Sequence, residues 1–196
     1  MEAAQLEELL LQSLETERGG DMIYEAAVDS AVNDDVRKVW MKYLDETRNH
    51  VEVMLRVLEG FGLDPGTDTV GRVILRGKAE TLIRSMEMAR KSDPTAGQLV
   101  AAECVVEAET KDHMNWELIG EVAKKLTGDQ KRLLTEAYEE VEEQEDEHLY
   151  HTMGWARELW LESLGLPAVL PPPEEKKHTK SAIGAERAKQ ARTEML

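Results

Sequence analysis

The sequence contains a single cysteine, Cys104, so an internal disulfide framework is excluded. One isolated thiol fits a reducing compartment, and we expect Cys104 to be a small core residue rather than a nucleophile. The chain also lacks the roughly 20 consecutive apolar residues that a membrane-spanning helix needs. Its first residues do not combine a basic segment with an apolar stretch, as a signal peptide would. These absences predict a cytoplasmic protein with no membrane partner.

Signals for β-structure are scarce as well. Aromatic residues make up 5% of the chain, with one Phe and four Tyr, and no sustained polar/apolar alternation is present. No internal repeat of solenoid length occurs. The 196 residues are 41% apolar and 33% charged, which is typical of a soluble helical protein with one substantial core.

The net charge is −16, and it is unevenly distributed. Residues 171–196 contain six Lys/Arg and four Asp/Glu, which leaves −18 for the rest of the chain. Such an acidic body should repel nucleic acid and anionic lipid, so neither is an expected partner. It can concentrate cations near its surface, although an acidic charge run is also typical of a merely solvated face.

Apolar residues recur every three or four positions over four long stretches, which predict helices at 3–32, 35–60, 95–126 and 129–164. The connection between the second and third of these is too long to be structureless, and a shorter helix is predicted there at 72–91. The sequence therefore predicts an all-α domain over residues 1–166. Residues 167–196 begin with Pro-Ala-Val-Leu-Pro-Pro-Pro and predict a proline-hinged, polar tail.

Glu145 and His148 are the most informative pair in the sequence. They lie three residues apart, so they are neighbours on one face of the last long helix. That face is otherwise apolar, and a carboxylate and an imidazole are costly to bury there without a partner. A bound metal ion would satisfy both. The alternative is an exposed pair, because the acidic run 142–147 could turn the face outward.

The other long helices carry similar groups on their predicted inner faces: Glu17, Glu46, His50, Glu103 and Glu107. On the third long helix, Glu107 is the first choice and Glu103 the second. Groups at similar depth on four helices indicate a shared ligand. Carboxylates with one imidazole per metal suit iron or manganese better than structural zinc.

These motifs resemble the ferritin-like superfamily. Glu17 followed by Tyr24 is similar to its first-helix glutamate and tyrosine, and residues 45–52 resemble its second-helix segment. Glu145-Asp146-Glu147-His148 matches the Glu-x-x-His of bacterioferritin- and rubrerythrin-type members. Over residues 3–164 the layout is similar to small bacterial ferritin-like stress proteins. The resemblance implies an antiparallel four-helix bundle with a long helical crossover.

The resemblance further implies two iron or manganese ions that handle iron and oxygen or peroxide, in a ferroxidase- or peroxidase-like way. Glu17, Glu107 and Glu145 would supply oxygen ligands, and His50 and His148 would supply nitrogen ligands. Tyr24 or Tyr43 would be a nearby electron donor. The cysteines of a built-in rubredoxin-type donor are absent. A homo-oligomer, a dimer or larger, is expected.

One position departs from the family pattern. Glu-x-x-His on the second helix would place Glu at position 47, where this chain has Thr47. The nearest acid, Glu46, is rotated by about 100° around the helix. The alternative function is therefore a metal-free helical scaffold or stress-associated interaction protein, whose tail would dock on an acidic partner.

Overall fold

The computed structural model describes residues 2–196, which are 83% helical and contain no strand. The helices are α1 (Ala3–Ser30), α2 (Asp34–Phe61), α3 (Val70–Ser92), α4 (Pro94–Ala123), α5 (Gly128–Ser163), α6 (Pro173–Lys176) and α7 (Ala182–Gln190), followed by a 3-10 turn (Ala191–Glu194). The predicted all-α class is confirmed, and the five predicted helices lie within a few residues of α1 to α5. None of the described helices is long and apolar enough to cross a membrane.

Local sequence explains where the long helices begin and end. The side chain of Asn33 accepts hydrogen bonds from the backbone N–H groups of Asp35 and Val36, which caps α2. Asp93 caps α4 in the same way, and Pro94 takes the first helical position, where no N–H is needed. Gly62 ends α2 with φ of 68°, a left-handed conformation that favours glycine. These signals produce the short turn after α1 and the abrupt start of α4.

Helices α1, α2, α5 and α4 pack in a closed ring, each against the next. Neighbouring helices run in opposite directions. Between α4 and α5, for example, Trp160 donates to Glu103 near one end, whereas His113 contacts Asp146 towards the other. The ring therefore surrounds a single interior into which all four long helices place side chains.

Helix α3 connects α2 to α4 and packs on both α1 and α4. Its N-terminal half is held by Glu15 of α1, a buried carboxylate that accepts hydrogen bonds from Arg72 and Arg76. Further along, α1 and α3 approach closely at Gly19, where a Cβ atom would lie 3.1 Å from the Cβ of Ala79. The long connection is therefore an ordered helix that covers the α1/α4 side.

Two apolar clusters fill the interior, one towards each end of the long helices. The first contains residues such as Tyr24, Trp40 and Trp155, and the second includes Leu14 and Trp116. Along every long helix of the ring, a short stretch of polar residues separates the two clusters. This polar layer contains the candidate site.

The C-terminal segment, predicted as a proline-hinged polar tail, packs against α5. Val169 and Ala188 are buried, and Arg157 of α5 forms two hydrogen bonds with the buried carboxylate of Glu174. Glu158 accepts from the backbone N–H of Val169 and from the guanidinium of Arg192. Buried ion pairs, rather than a continuous apolar face, hold this polar segment in place.

Candidate metal centre

Six acidic and imidazole side chains from all four ring helices meet in the polar layer. They are Glu17 of α1, His50 of α2, Glu109 and Asp112 of α4, and Glu145 and His148 of α5. None is more than 4% exposed. Charged groups are rarely buried at this density without a counter-ion, so the layer requires a physical explanation.

The ligand atoms form two overlapping groups of three, Glu17/His50/Glu145 and Glu109/Glu145/His148, each within 4.8 Å of one another. In the first group, His50 Nδ1 lies 2.9 Å from Glu145 Oε1 and 3.7 Å from Glu17 Oε2. In the second, His148 Nδ1 lies 3.7 Å from both Glu109 Oε2 and Glu145 Oε1. Glu145 belongs to both groups and joins them.

Contacts at Nε2 fix the orientation of both imidazole rings. His50 Nε2 lies 2.7 Å from the amide oxygen of Gln144, and His148 Nε2 lies 3.0 Å from a carboxylate oxygen of Glu46. These oxygens only accept hydrogen bonds, so Nε2 carries the proton and donates in both rings. Each Nδ1 then faces the carboxylates and is free to take a proton or a metal ion.

Several atoms of the layer have no hydrogen-bond partner. They include Glu17 Oε2, His50 Nδ1, Glu109 Oε2, Asp112 Oδ1, Glu145 Oε2 and His148 Nδ1. A buried polar atom without a partner costs about 1–3 kcal/mol, and more if it is charged. Four of these atoms form the close pairs His50 Nδ1 with Glu17 Oε2 and His148 Nδ1 with Glu109 Oε2, each at 3.7 Å. Oxygen and nitrogen donors at this spacing are those that bind a metal ion, so the residues fit the expected group.

The electrostatics of the layer also favour a cation. Burial, together with the neighbouring carboxylate of Glu145, raises the pKa of Glu109 well above its usual value. Burial and repulsion from Glu17 raise the pKa of Asp112 in the same way. Although burial alone would lower the pKa of His50, the carboxylates of Glu17 and Glu145 raise it well above the ordinary value. The layer therefore attracts positive charge.

Helix α4 turns a different face towards the polar layer from the one that the sequence predicted. Glu103 and Glu107 are both exposed and lie outside the layer, and Glu103 accepts a hydrogen bond from Trp160 on the surface. Glu109 and Asp112 take the inward positions instead, which corrects the predicted register. They continue a stripe at spacings of three and four: Ala102, Val105, Glu109, Asp112, Trp116, Ile119 and Ala123. That stripe was the signal that could have identified them.

The remaining candidates take supporting positions. Glu46 is partly exposed and reaches the site through His148, while its other oxygen contacts Lys42 at 3.5 Å. Thr47 is buried, with its methyl group towards Gly20, so no carboxylate occupies that position. Tyr24 is buried beside His148, with 5.9 Å between ring centroids, and its hydroxyl has no hydrogen-bond partner.

We found no protein-family model, curated protein or solved structure that matches this chain.

Proposed function

We propose that the protein is a ferritin-like di-metal protein, an antiparallel four-helix bundle of α1, α2, α4 and α5 that binds two iron or manganese ions. The observation that carries this proposal is the matched pair of imidazoles. His50 and His148 are each held through Nε2, and each presents Nδ1 to a carboxylate group that includes Glu145. Carboxylates with one imidazole per ion, projecting inward from four helices, are the donor set of di-iron and di-manganese bundles.

We assign the ligands of the two ions from the two groups. One ion would be held by Glu17, His50 and Glu145, and the other by Glu109, His148 and Glu145. Asp112 lies in the same layer as a further carboxylate. Three protein ligands for each ion leave coordination positions open for a small molecule, which suits metals that prefer six ligands.

Bound in reduced form, such ions would supply electrons to oxygen or peroxide, as in ferroxidase- or peroxidase-type reactions. The ligand side chains are almost fully buried, which limits the access of water to the layer. Asp112, whose pKa is raised by burial and by repulsion from Glu17, lies outside both ligand groups and can hold a proton beside the site. Tyr24 is buried beside His148 and its hydroxyl has no hydrogen-bond partner, which supports its assignment as an electron donor.

Thr47 is the observation that favours the alternative, a metal-free helical scaffold. With no carboxylate at this position, Glu145 is the one residue common to both groups. A scaffold, however, would have to retain the buried donor atoms without partners, at a cost in stability. Metal binding removes that cost, so we favour the di-metal function.

Metal analysis of protein purified without chelator tests the proposal. We expect close to two iron or manganese ions per chain, either as purified or after anaerobic reconstitution. The variants His50→Ala and His148→Ala should each lose most of one equivalent or more. His178→Asn is the matched control, because His178 is exposed and asparagine tolerates its φ of 48°. Absence of bound metal after reconstitution would support the scaffold instead.

A further inference from the structure

A cavity of about 310 Å³ lies beside the polar layer, between α4, α5 and the start of α7. Glu145, the carboxylate common to both ligand groups, forms part of its wall. This side chain is only 1% exposed, and its Oε2 has no hydrogen-bond partner. The cavity therefore leads from the protein surface to the buried side chain of Glu145, which belongs to the candidate centre.

The walls of the cavity are acidic. Glu117, Glu142 and Asp146 line it, and no Lys or Arg is among its lining residues. Glu117 is largely exposed, whereas the side chain of Asp146 is only 14% exposed. His113 lies between them, with Nε2 3.6 Å from Glu117 and Nδ1 3.2 Å from Asp146. The negative groups thus extend inward from the surface towards Glu145.

The dimensions suit a hydrated cation. At about 30 Å³ for each water, the cavity holds roughly ten water molecules. A divalent ion with an octahedral shell of about six waters fits within that space. A cleft lined by one sign of charge also concentrates counter-ions and raises their association rate by 10-fold or more. Residues 181–183 at the start of α7 form the remaining wall, so the C-terminal segment sets the width of the opening.

We propose that divalent cations reach the metal centre through this cavity, with Glu117, Glu142 and Asp146 guiding the hydrated ion to Glu145. This inference rests on the proposed di-metal function. The three guiding acids are positioning residues for transport and lie outside both ligand groups. They determine how fast the ions arrive, but they do not change the final ligand set.

The test is the rate at which apoprotein takes up Co²⁺, followed by stopped-flow absorption of the bound ion. The double variant Glu117→Gln/Glu142→Gln should slow uptake about 10-fold and weaken its dependence on salt, with the final stoichiometry unchanged. The control Glu52→Gln/Glu139→Gln removes the same charge from exposed positions outside the cavity and should match the wild type. Ala182→Trp narrows the opening without changing charge and should also slow uptake.

The possible results distinguish the proposed entry path from the proposed di-metal function. Wild-type rates in both the acid variant and Ala182→Trp, with normal stoichiometry, would overturn the path while the di-metal function stands. Equal slowing by the control variant would show that total charge, and not the cavity, governs uptake, which also overturns the path. No uptake by the wild type would overturn the proposed function and the path with it.

Discussion

Glu145 of α5 and His50 of α2 meet across the interior of the ring, with Oε1 of the carboxylate 2.9 Å from Nδ1 of the imidazole. His50 is the reason that Glu145, although fully buried, remains a carboxylate. Burial raises its pKa, but the imidazoles of His50 and His148 outweigh this effect and lower it below the usual value. An ionised carboxylate at this position is what two neighbouring cation sites require.

Because Glu109 of α4 faces the polar layer and Glu107 is exposed, we expect their replacement to have different effects on metal binding. Glu109→Gln should reduce bound metal from about two ions per chain to about one, because it removes an oxygen ligand from the group that contains His148. Glu107→Gln is the matched control and should retain both ions, since Glu107 is exposed. Metal analysis of the two variants after reconstitution decides the register. Loss of metal in Glu107→Gln alone would contradict it.

Gln144, which accepts a hydrogen bond from Nε2 of His50, should affect metal affinity although it is not itself a ligand. Gln144→Leu removes the acceptor that fixes Nε2–H of His50, so the ring is free to turn or to change tautomer. We expect affinity to fall about 10–100-fold, as for other residues that orient metal-bound histidines. Competition with a coloured chelator measures the change. Glu139→Leu, an exposed change on the same helix, should leave affinity at the wild-type value.

We predict that a carboxylate introduced at position 47, where this chain has Thr47, would act as an additional metal ligand. Thr47→Glu adds an acid at a buried position, which should destabilise the apoprotein by about 2 kcal/mol or more. Bound metal should reverse this loss and give the variant a larger metal-induced rise in melting temperature than the wild type shows. Thr47→Gln has nearly the same size without the charge. If both variants respond to metal alike, the added side chain does not reach the centre.

His151 should make the apoprotein sensitive to acid. It is buried, with Nδ1 3.1 Å from the hydroxyl of Tyr43, and burial lowers its pKa from 6.5 to about 4. Between these pH values the unfolded chain binds the proton and the folded chain does not. The stability contributed by neutral His151 is therefore complete above pH 6.5 and lost as the pH falls towards 4, by about 3 kcal/mol in total.

Urea unfolding of apoprotein at pH 7.5 and pH 4.5 measures this contribution. The free energy of unfolding of the wild type should fall by about 2–3 kcal/mol more than that of His151→Gln, because the other titrating groups are common to both proteins. Equal losses would show that His151 accepts a proton in the folded state without cost.

The C-terminal segment should be needed for stability. A chain that ends at Leu166 loses the buried Val169 and Ala188 and leaves Arg157 without Glu174. We expect the melting temperature to fall by roughly 5–10 °C, with the oligomeric state measured in parallel by light scattering. Truncation after Arg192 keeps these contacts and serves as the control. An unchanged melting temperature in the shorter chain would show that the segment is dispensable for folding.

Periodic apolar residues were sufficient to predict α1 to α5, because helices of this length carry many turns of consistent pattern. They were also sufficient to single out Glu145 and His148, which interrupt a clear apolar stripe. Helix α4 was harder, since it packs on α1, α3 and α5 and so carries small or apolar residues on several faces. With no single apolar face to fix the register, the sequence favoured Glu107 and then Glu103, and the stripe that continues through Glu109 was overlooked.

The contacts of the C-terminal segment could not be predicted from the sequence for a different reason. Its residues are polar, and three consecutive prolines suggested separation from the domain. What holds it is a set of specific pairs, such as Arg157 with Glu174, whose partners lie on different elements. Sequence periodicity does not predict such pairs, because each of these charged residues, taken alone, is typical of a solvent-exposed surface.

Because Glu145 is common to both ligand groups, two ions bound there would not be independent. The first ion would draw the shared carboxylate towards itself and so change the affinity that the second one meets. By thermodynamic reciprocity the second ion must alter the first by the same factor. The centre would therefore titrate as a cooperative pair, whose coupling free energy could be read from the abundance of the half-loaded form.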